Sequence, residues 1–147
     1  MSSTSRRPHV LPVLVVAQFL GGSLWFVGNS VVDEVAPLWP HIEGAVGWLT
    51  GAVQLGFLAG TLVYAARGWA DRYPAHRVFL ASCLLGATAN AAAMLLPSSF
   101  AWFCGARVLT GFFLAGIYPV GMKLAASWFR EGLGWAIGLL VGALVLG

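Results

Sequence analysis

Residues 100–122, FAWFCGARVLTGFFLAGIYPVGM, form a long apolar run that contains one charged side chain, Arg107. A helix rises about 1.5 Å per residue, so a run of this length crosses the hydrocarbon core of a bilayer, which is about 30 Å thick. Backbone groups in lipid must be hydrogen-bonded internally, and the alternating strands of a membrane barrel are missing from this sequence. The run therefore predicts a transmembrane helix.

Three earlier runs of the same kind, at about 10–32, 45–66 and 78–96, predict three more full crossings. A fifth run opens near residue 134 and reaches residue 147, a length of only about 21 Å. The expected fold class is an all-α membrane protein, a polytopic helical bundle with four full transmembrane helices and part of a fifth. Because the fifth run is too short to cross, we expect residues 1–147 to be a truncated transmembrane unit.

The composition supports a membrane environment and excludes several functions. Hydrophobic residues make up 59% of the chain and charged residues 9%, against about 45–50% and 25% in soluble domains. The net charge of +3 does not indicate nucleic-acid binding, because the basic residues lie singly or in pairs between apolar runs. The three histidines are scattered, without Cys-x-x-Cys or paired carboxylates beside them. We therefore expect no metal site, no cofactor and no enzyme activity.

Lysine and arginine collect on one predicted side of the membrane. The segment from Asp33 to Glu43 and the short link at 97–99, both on the other side, contain neither residue type. Because cytoplasmic loops retain basic residues, we expect a cytoplasmic amino terminus in a multi-pass protein of the plasma (inner) membrane. Trp39 is expected in the outer interfacial belt. The basic residues of the cytoplasmic side are Arg6, Arg7, Arg67, Arg72, Arg77, Lys123 and Arg130.

The loop between the second and third runs, RGWADRYPAHR at residues 67–77, resembles the signature loop G-x-L-A-D-R-x-G-R-[RK] of the major facilitator superfamily. Asp71 and Arg72 match, Pro74 replaces the second glycine, and Arg77 remains of the basic pair. The resemblance implies a cytoplasmic latch in which the aspartate and the arginines bond between helices. An ordinary charged turn is the alternative interpretation of this loop.

Arg107 and Gly111 resemble a second element of that superfamily, R-x-x-x-G in the fourth span. The resemblance implies secondary active or facilitated transport of a small solute by alternating access, with two six-helix halves rocking around a midplane site. The chain would then be a partial amino-terminal half whose partners are the lipid bilayer, the solute and a missing carboxyl-terminal half. The alternative is a stand-alone small helical membrane protein with an assembly or regulatory role.

The first and fourth spans are expected to be repeats, since one offset of 89 (107 − 18, 118 − 29) pairs Gln18 with Arg107 and Asn29 with Tyr118. Arg107 is expected to face the protein interior or a water-filled cavity, with snorkelling to the surface as the alternative. The resemblance implies that both spans line the central cavity, where Arg107 could meet an anionic solute group or take part in proton coupling. Interhelical hydrogen bonding is the alternative role for these polar side chains. The candidate pathway residues are Gln18, Trp25, Asn29, Arg107 and Tyr118.

Small residues at a spacing of four predict close helix packing in the bilayer. Pro119 predicts a kink in the fourth span, because a proline removes one backbone bond and clashes with the preceding turn. The candidate packing residues are Gly47, Gly51, Gly56, Gly60 and Gly111.

Overall fold

The computed structural model describes residues 9–129 and 132–146, apart from the side chain of Asn29. Regular structure in these ranges is helical throughout, which confirms the all-α fold class. Single turns of 3-10 helix at Ala36–Leu38 and Ala93–Leu95 extend longer helices. The α-helices of the described residues are α1 (Val10–Ser30), α2 (Val32–Val35), α3 (Ala45–Arg67), α4 (Trp69–Arg72), α5 (Ala75–Ala92), α6 (Phe100–Leu114), α7 (Tyr118–Trp128) and α8 (Leu133–Leu146). The basic residues Arg6, Arg7 and Arg130 lie outside the described residues.

Four helical segments of the described chain are long and apolar enough to cross a membrane. Their outer faces carry large exposed apolar side chains, such as Leu55 at 65% and Leu62 at 63% exposure. A surface of this kind is stable in lipid, so the chain is a polytopic membrane protein. The shorter apolar helix α8 packs against α1. The four segments are Val10–Leu38, Ala45–Arg67, Ala75–Leu95 and Phe100–Trp128.

The fourth span is longer than expected and is interrupted in its middle. Helix α6 ends at Leu114, and α7 begins at Tyr118 and continues to Trp128, beyond the expected end near residue 122. Pro119 lies in the first turn of α7. It has no N–H to offer the carbonyl of Ala115, and its ring crowds that carbonyl. The interruption thus falls one turn before the proline, at the place where the sequence predicts a kink.

Helices α3 and α6 share the most extensive helix contact in the described bundle. A Cβ added to Gly56 would collide with the carbonyl oxygen of Val108, and one added to Gly111 would collide with that of Val53. Gly60, one turn after Gly56, also packs against the α6 backbone, where an added Cβ would collide with the carbonyl oxygen of Phe112. The two backbones therefore touch directly, as the glycine spacing of this part of α3 predicts.

Gly47 and Gly51 contact no other helix within the described part of the chain, so their expected packing role stays a prediction. No atom lies within 4 Å of a Cβ added to either glycine. In this part of α3 the residue that packs inward is Leu49, fully buried in a cluster with Phe103. Gly47 and Gly51 each lie two positions from Leu49, about 200° around the helix, and so face outward.

One end of the bundle is closed by the segment after α1. Helix α2 and the 3-10 turn that follows it carry Trp39 back against the start of α6. Trp39 is 5% exposed, and its ring centroid lies 5.1 Å from that of Phe100 and 5.2 Å from that of Phe103. These extra helical turns therefore place the Trp39 side chain inside the end of the bundle, and its position in the outer interfacial belt stays a prediction.

Candidate functional site

Arg107 lies in the middle of α6 and is completely buried, with 0% of its surface exposed. Its Nη1 donates to the carbonyl oxygen of Leu24 at 3.1 Å and to Oδ1 of Asn90 at 2.9 Å. Its Nη2 donates to the carbonyl oxygen of Trp25 at 2.6 Å. One guanidinium thus joins α1, α5 and α6. These bonds offset part of the cost of holding a cation at membrane depth.

Gly28 of α1 provides the space for this guanidinium. A Cβ built on Gly28 would stand 2.5 Å from both Cζ and Nε of Arg107. The Nε–H has no acceptor among the described residues, and no described carboxylate bonds to the side chain. In the described part of the chain, the positive charge is therefore balanced by carbonyl and amide dipoles rather than by a counter-ion.

Gln18, on α1, is also a buried polar side chain, with 1% of its surface exposed. Neither its Oε1 nor its Nε2 has a hydrogen-bond partner in the described residues. Its amide lies against Gly121 of α7, where a Cβ would collide with Oε1, and the ring of Phe79 lies beside it. A buried amide without a partner costs about 1–3 kcal/mol. Gln18 is thus a buried polar group at the contact between α1 and α7, without a partner among the described residues.

A partly open cavity of about 220 Å³ lies beside the interruption of the fourth span. Trp25 and Phe57 line it together, with ring centroids 5.3 Å apart and ring planes at 69°. The side chain of Leu144 closes over Gly22, whose added Cβ would stand 3.0 Å from it. The cavity is lined by Gly22, Trp25, Phe57, Leu114, Ile117, Tyr118 and Leu144.

The candidate pathway residues divide into two groups in the structure. Trp25 and Tyr118 line the cavity together. Arg107 and Gln18 are buried in helix contacts and are not part of the lining. The side chain of Asn29 lies outside the described residues. The fourth-span arginine therefore reaches the cavity only through the backbone of Trp25, which it holds by a hydrogen bond.

An ion pair lies at the end of the bundle away from Trp39. The Nζ of Lys123 on α7 stands 2.5 Å from Oδ1 of Asp71 on α4, and it also donates to the carbonyl oxygen of Ala70 at 2.6 Å. Gly68, with a φ of 60°, ends α3 and turns the chain directly into α4. The two contacts tie the loop between the second and third spans to the end of the fourth.

Of the three loop candidates, the structure brings only Asp71 into a contact between helices. The side chains of Arg72 and Arg77 are exposed and form no hydrogen bond or ion pair with other described residues. Asp71 pairs with Lys123, which the sequence analysis used only to orient the chain in the membrane. The sequence feature that could have indicated this pair is the predicted position of Lys123 on the same membrane side as the loop.

A polar pair that the sequence did not point to lies against the interruption of the fourth span. The hydroxyl oxygens of Tyr64 and Ser82 are 2.9 Å apart, and both crowd the position of an added Cβ on Gly116. The Tyr64 ring packs on Trp69 and Phe112, with centroids 4.8 Å and 5.9 Å away. The only signal in the sequence is a hydroxyl group within each of two apolar runs. This pair ties α3 and α5 to the interruption.

Residues 9–129 and 132–146 contain possible metal ligands and two cysteines. No three His, Cys, Asp or Glu side chains in these ranges are close enough together to hold a metal ion. Cys83 and Cys104 are both free thiols on helices.

Comparison with protein families identifies the superfamily of this chain. The sequence model of the Major Facilitator Superfamily matches residues 14–147, which include the cavity, the loop with Asp71 and the whole of the fourth span. Comparison with curated proteins and with solved structures gives no match. Members of the matching superfamily move solutes across membranes and are not enzymes. With four helices of membrane length and a match over most of its residues, the chain belongs to the major facilitator superfamily of membrane transporters.

Proposed function

We propose that the chain is the amino-terminal part of a secondary transporter that moves a small solute, actively or by facilitated diffusion, through alternating access. The observation that carries the proposal is the cavity beside the interrupted fourth span. Residues of the first, second and fourth spans and of α8 converge on it. A site between repeated helices, beside a discontinuous one, is the usual position for a transported solute.

A carboxyl-terminal half would complete this site. The cavity of about 220 Å³ is below the roughly 300–1,000 Å³ of most small-molecule pockets, and it is open on one side. We propose that helices of a second half close the open side and form the opposite wall. The two halves would then rock against each other around the solute.

Rocking requires that each half move as a body, and the buried contacts of this chain supply that stiffness. Arg107 joins α1, α5 and α6 through three hydrogen bonds. Tyr64 and Ser82 join α3 to α5, and Gly56 brings α3 into backbone contact with α6. The direct role of Arg107 in this proposal is to hold the backbone beside the cavity.

The pair of Asp71 and Lys123 is proposed as a latch that forms and breaks during the cycle. Their side chains are 80% and 44% exposed, so the pair is worth at most about 1 kcal/mol and can open at low cost. We propose that this end faces the cytoplasm of a plasma (inner) membrane, together with the amino terminus. The support is that the basic residues Arg67, Arg72 and Arg77 belong to the same end.

The test of alternating access uses a single cysteine in the cavity. In the complete protein, with Cys83→Ala and Cys104→Ala as background, Tyr118→Cys is exposed to a membrane-impermeant maleimide in right-side-out and inside-out vesicles. We expect labelling from both faces. A second protein also carries Asp71→Cys and Lys123→Cys, and its Tyr118→Cys is protected while these two cysteines are joined in a disulfide. After Tyr118→Cys is deprotected, we expect it to be labelled only from the outer face. Leu55→Cys, which faces lipid, is the matched control and is expected to label from neither.

Two outcomes would contradict alternating access. Labelling of Tyr118→Cys from both faces while the disulfide is closed indicates a channel. Labelling from neither face, with the disulfide open or closed, indicates a cavity that never meets water.

The second candidate function is a stand-alone small membrane protein that assembles with a partner. The observation that favours it is the open glycine face of α8, where nothing lies within 4 Å of a Cβ added to Gly134, Gly138 or Gly142. Such a face fits a second copy of the chain as well as a missing half. A defined homo-oligomer by mass measurement of the 147-residue chain in detergent would favour assembly. A monomer that becomes stable only with further helices would favour the transporter.

A further inference from the structure

The chemistry of the cavity lining indicates what kind of solute it can hold. None of its seven lining residues carries a charge. Trp25 and Phe57 present an edge-to-face aromatic pair, and Leu114, Ile117 and Leu144 add aliphatic surface. Aromatic and aliphatic surfaces of this kind favour an apolar, ring-shaped body, because aromatic pairs add attraction beyond the area that they bury.

The nearest buried charge is not offered to a solute in this cavity. Arg107 has no exposed surface, and its two terminal nitrogens are already bonded to Leu24, Trp25 and Asn90. An anionic group entering the cavity would lose its water without gaining a charged partner from the described residues. Desolvation without such a partner costs several kcal/mol, so the lining discriminates against charge.

One lining side chain, that of Tyr118 at the start of α7, carries a hydroxyl group. This hydroxyl forms no hydrogen bond with the described residues. Its hydroxyl can donate to a solute or accept from it. A single hydrogen bond to a neutral group contributes about 0.5–1.5 kcal/mol, which is enough to orient a ring and too little to hold a charge.

The volume indicates the size of the ring that this part of the site can hold. A buried apolar cavity of about 150 Å³ holds one benzene molecule. The present cavity, about 220 Å³, has room for two fused rings.

From lining, charge and volume together, we infer that this cavity binds an uncharged aromatic solute, or the uncharged aromatic part of a larger one, of about two fused rings, with its polar group at Tyr118. This inference rests on the proposed function, because it takes the cavity to be the part of the transport site that this half provides.

The test compares two probes of nearly the same shape and different charge. Tritiated 1-naphthol is neutral and 1-naphthoate is anionic at neutral pH. Each is equilibrated by dialysis with the complete protein in lipid nanodiscs, and the uptake of empty nanodiscs is subtracted. We expect saturable binding of 1-naphthol at least tenfold tighter than that of 1-naphthoate.

Variants assign the binding to the cavity. Phe57→Ala removes part of the aromatic wall and is expected to weaken 1-naphthol binding about tenfold. Tyr118→Phe keeps the ring and removes only the hydroxyl, and is expected to weaken it about two- to tenfold. Leu55→Ala on the outer face of α3 is the matched control and is expected to leave binding unchanged. If Phe57→Ala fails to fold, the effect of Tyr118→Phe on 1-naphthol binding decides whether the probe binds in the cavity.

The inference is overturned if 1-naphthoate binds as tightly as 1-naphthol, if neither probe binds saturably, or if Leu55→Ala and Tyr118→Phe have equal effects. Failure of the proposed function gives a different signature. The labelling of Tyr118→Cys from the two membrane faces needs no solute, so alternating access can hold while the inferred solute class fails. Selective 1-naphthol binding, with labelling of Tyr118→Cys from both faces while the disulfide is closed, would keep the binding site and remove alternating access.

Discussion

The guanidinium of Arg107 lies directly against the backbone of Gly28, so that a Cβ added to Gly28 would stand 2.5 Å from both Cζ and Nε. Arg107 is fully buried and is fixed by three hydrogen bonds to α1 and α5, so it cannot move aside without breaking them. A glycine is therefore required at position 28, because any larger side chain would occupy the space of the Arg107 guanidinium.

Gly28→Ala is expected to destabilise the protein by about 1–3 kcal/mol, the usual cost of forcing additional atoms into a packed interior. Thermal unfolding in one detergent, followed by tryptophan fluorescence, measures the change. Gly105→Ala is the matched control because nothing lies within 4 Å of its added Cβ, and it is expected to be neutral or stabilising by up to about 1 kcal/mol. If the two variants unfold at the same temperature, Arg107 does not fill the space beside Gly28.

Gly56→Ala is expected to unfold at a markedly lower temperature than Gly47→Ala, although the two glycines belong to the same helix and to the same sequence pattern. At Gly56 the new methyl group would meet the backbone oxygen of Val108, which can move only if α3 and α6 separate. At Gly47 the methyl group would enter open space. We expect a loss of about 2 kcal/mol or more for the first and none for the second. Equal stability would show that the helices do not touch at Gly56.

This contrast shows what a sequence pattern can and cannot predict. Glycines at a spacing of four indicate that one helix face is smooth, but the spacing is the same at Gly47 and at Gly56. Only the three-dimensional contact decides which pair meets another backbone. The same limit applies to Arg107. Its interior position follows from the cost of a charge in lipid, yet two of its acceptors are backbone carbonyls, which every residue has.

The predicted repeat of the first and fourth spans pairs Gln18 with Arg107 at an offset of 89 residues. In the structure each of them lies against a glycine of the other span, Gln18 against Gly121 and Arg107 against Gly28. Polarity at matching positions of two repeats could be detected from the chain alone. The ion pair of Asp71 with Lys123 could not, because its members are far apart in sequence and several basic residues share the predicted side.

Asp71→Asn is expected to change the proportion of the two access states far more than the stability of the fold. The pair with Lys123 is exposed, so unfolding should shift by less than about 1 kcal/mol. A weaker latch favours opening of that end, so the labelling of Tyr118→Cys is expected to increase from the face that holds Asp71. The exchange of Asp71→Lys with Lys123→Asp should restore the original ratio, and Arg77→Gln should leave it unchanged. A labelling ratio that does not respond to Asp71→Asn would show that this ion pair is no latch.

Gln18→Met is expected to stabilise the fold, in contrast to most substitutions of buried residues. The amide of Gln18 is 1% exposed and both of its polar atoms lack partners in the described residues. Methionine has a similar length and shape and no amide to desolvate, so the variant should gain about 1–3 kcal/mol. Gln54→Met, at an exposed position of α3, is the matched control and should change stability by no more than about 0.5 kcal/mol.

The sign of the Gln18 result separates two roles for the same side chain. In the first role, Gln18→Met is more stable than the unaltered protein, and Tyr118→Cys loses its labelling from one face. The amide of Gln18 then finds a hydrogen-bond partner only in the other access state, as expected for a polar group at a moving helix contact. If Gln18→Met is less stable than the unaltered protein, the amide is already bonded in the folded state, for example to a buried water, and its role is to fix α1 against α7.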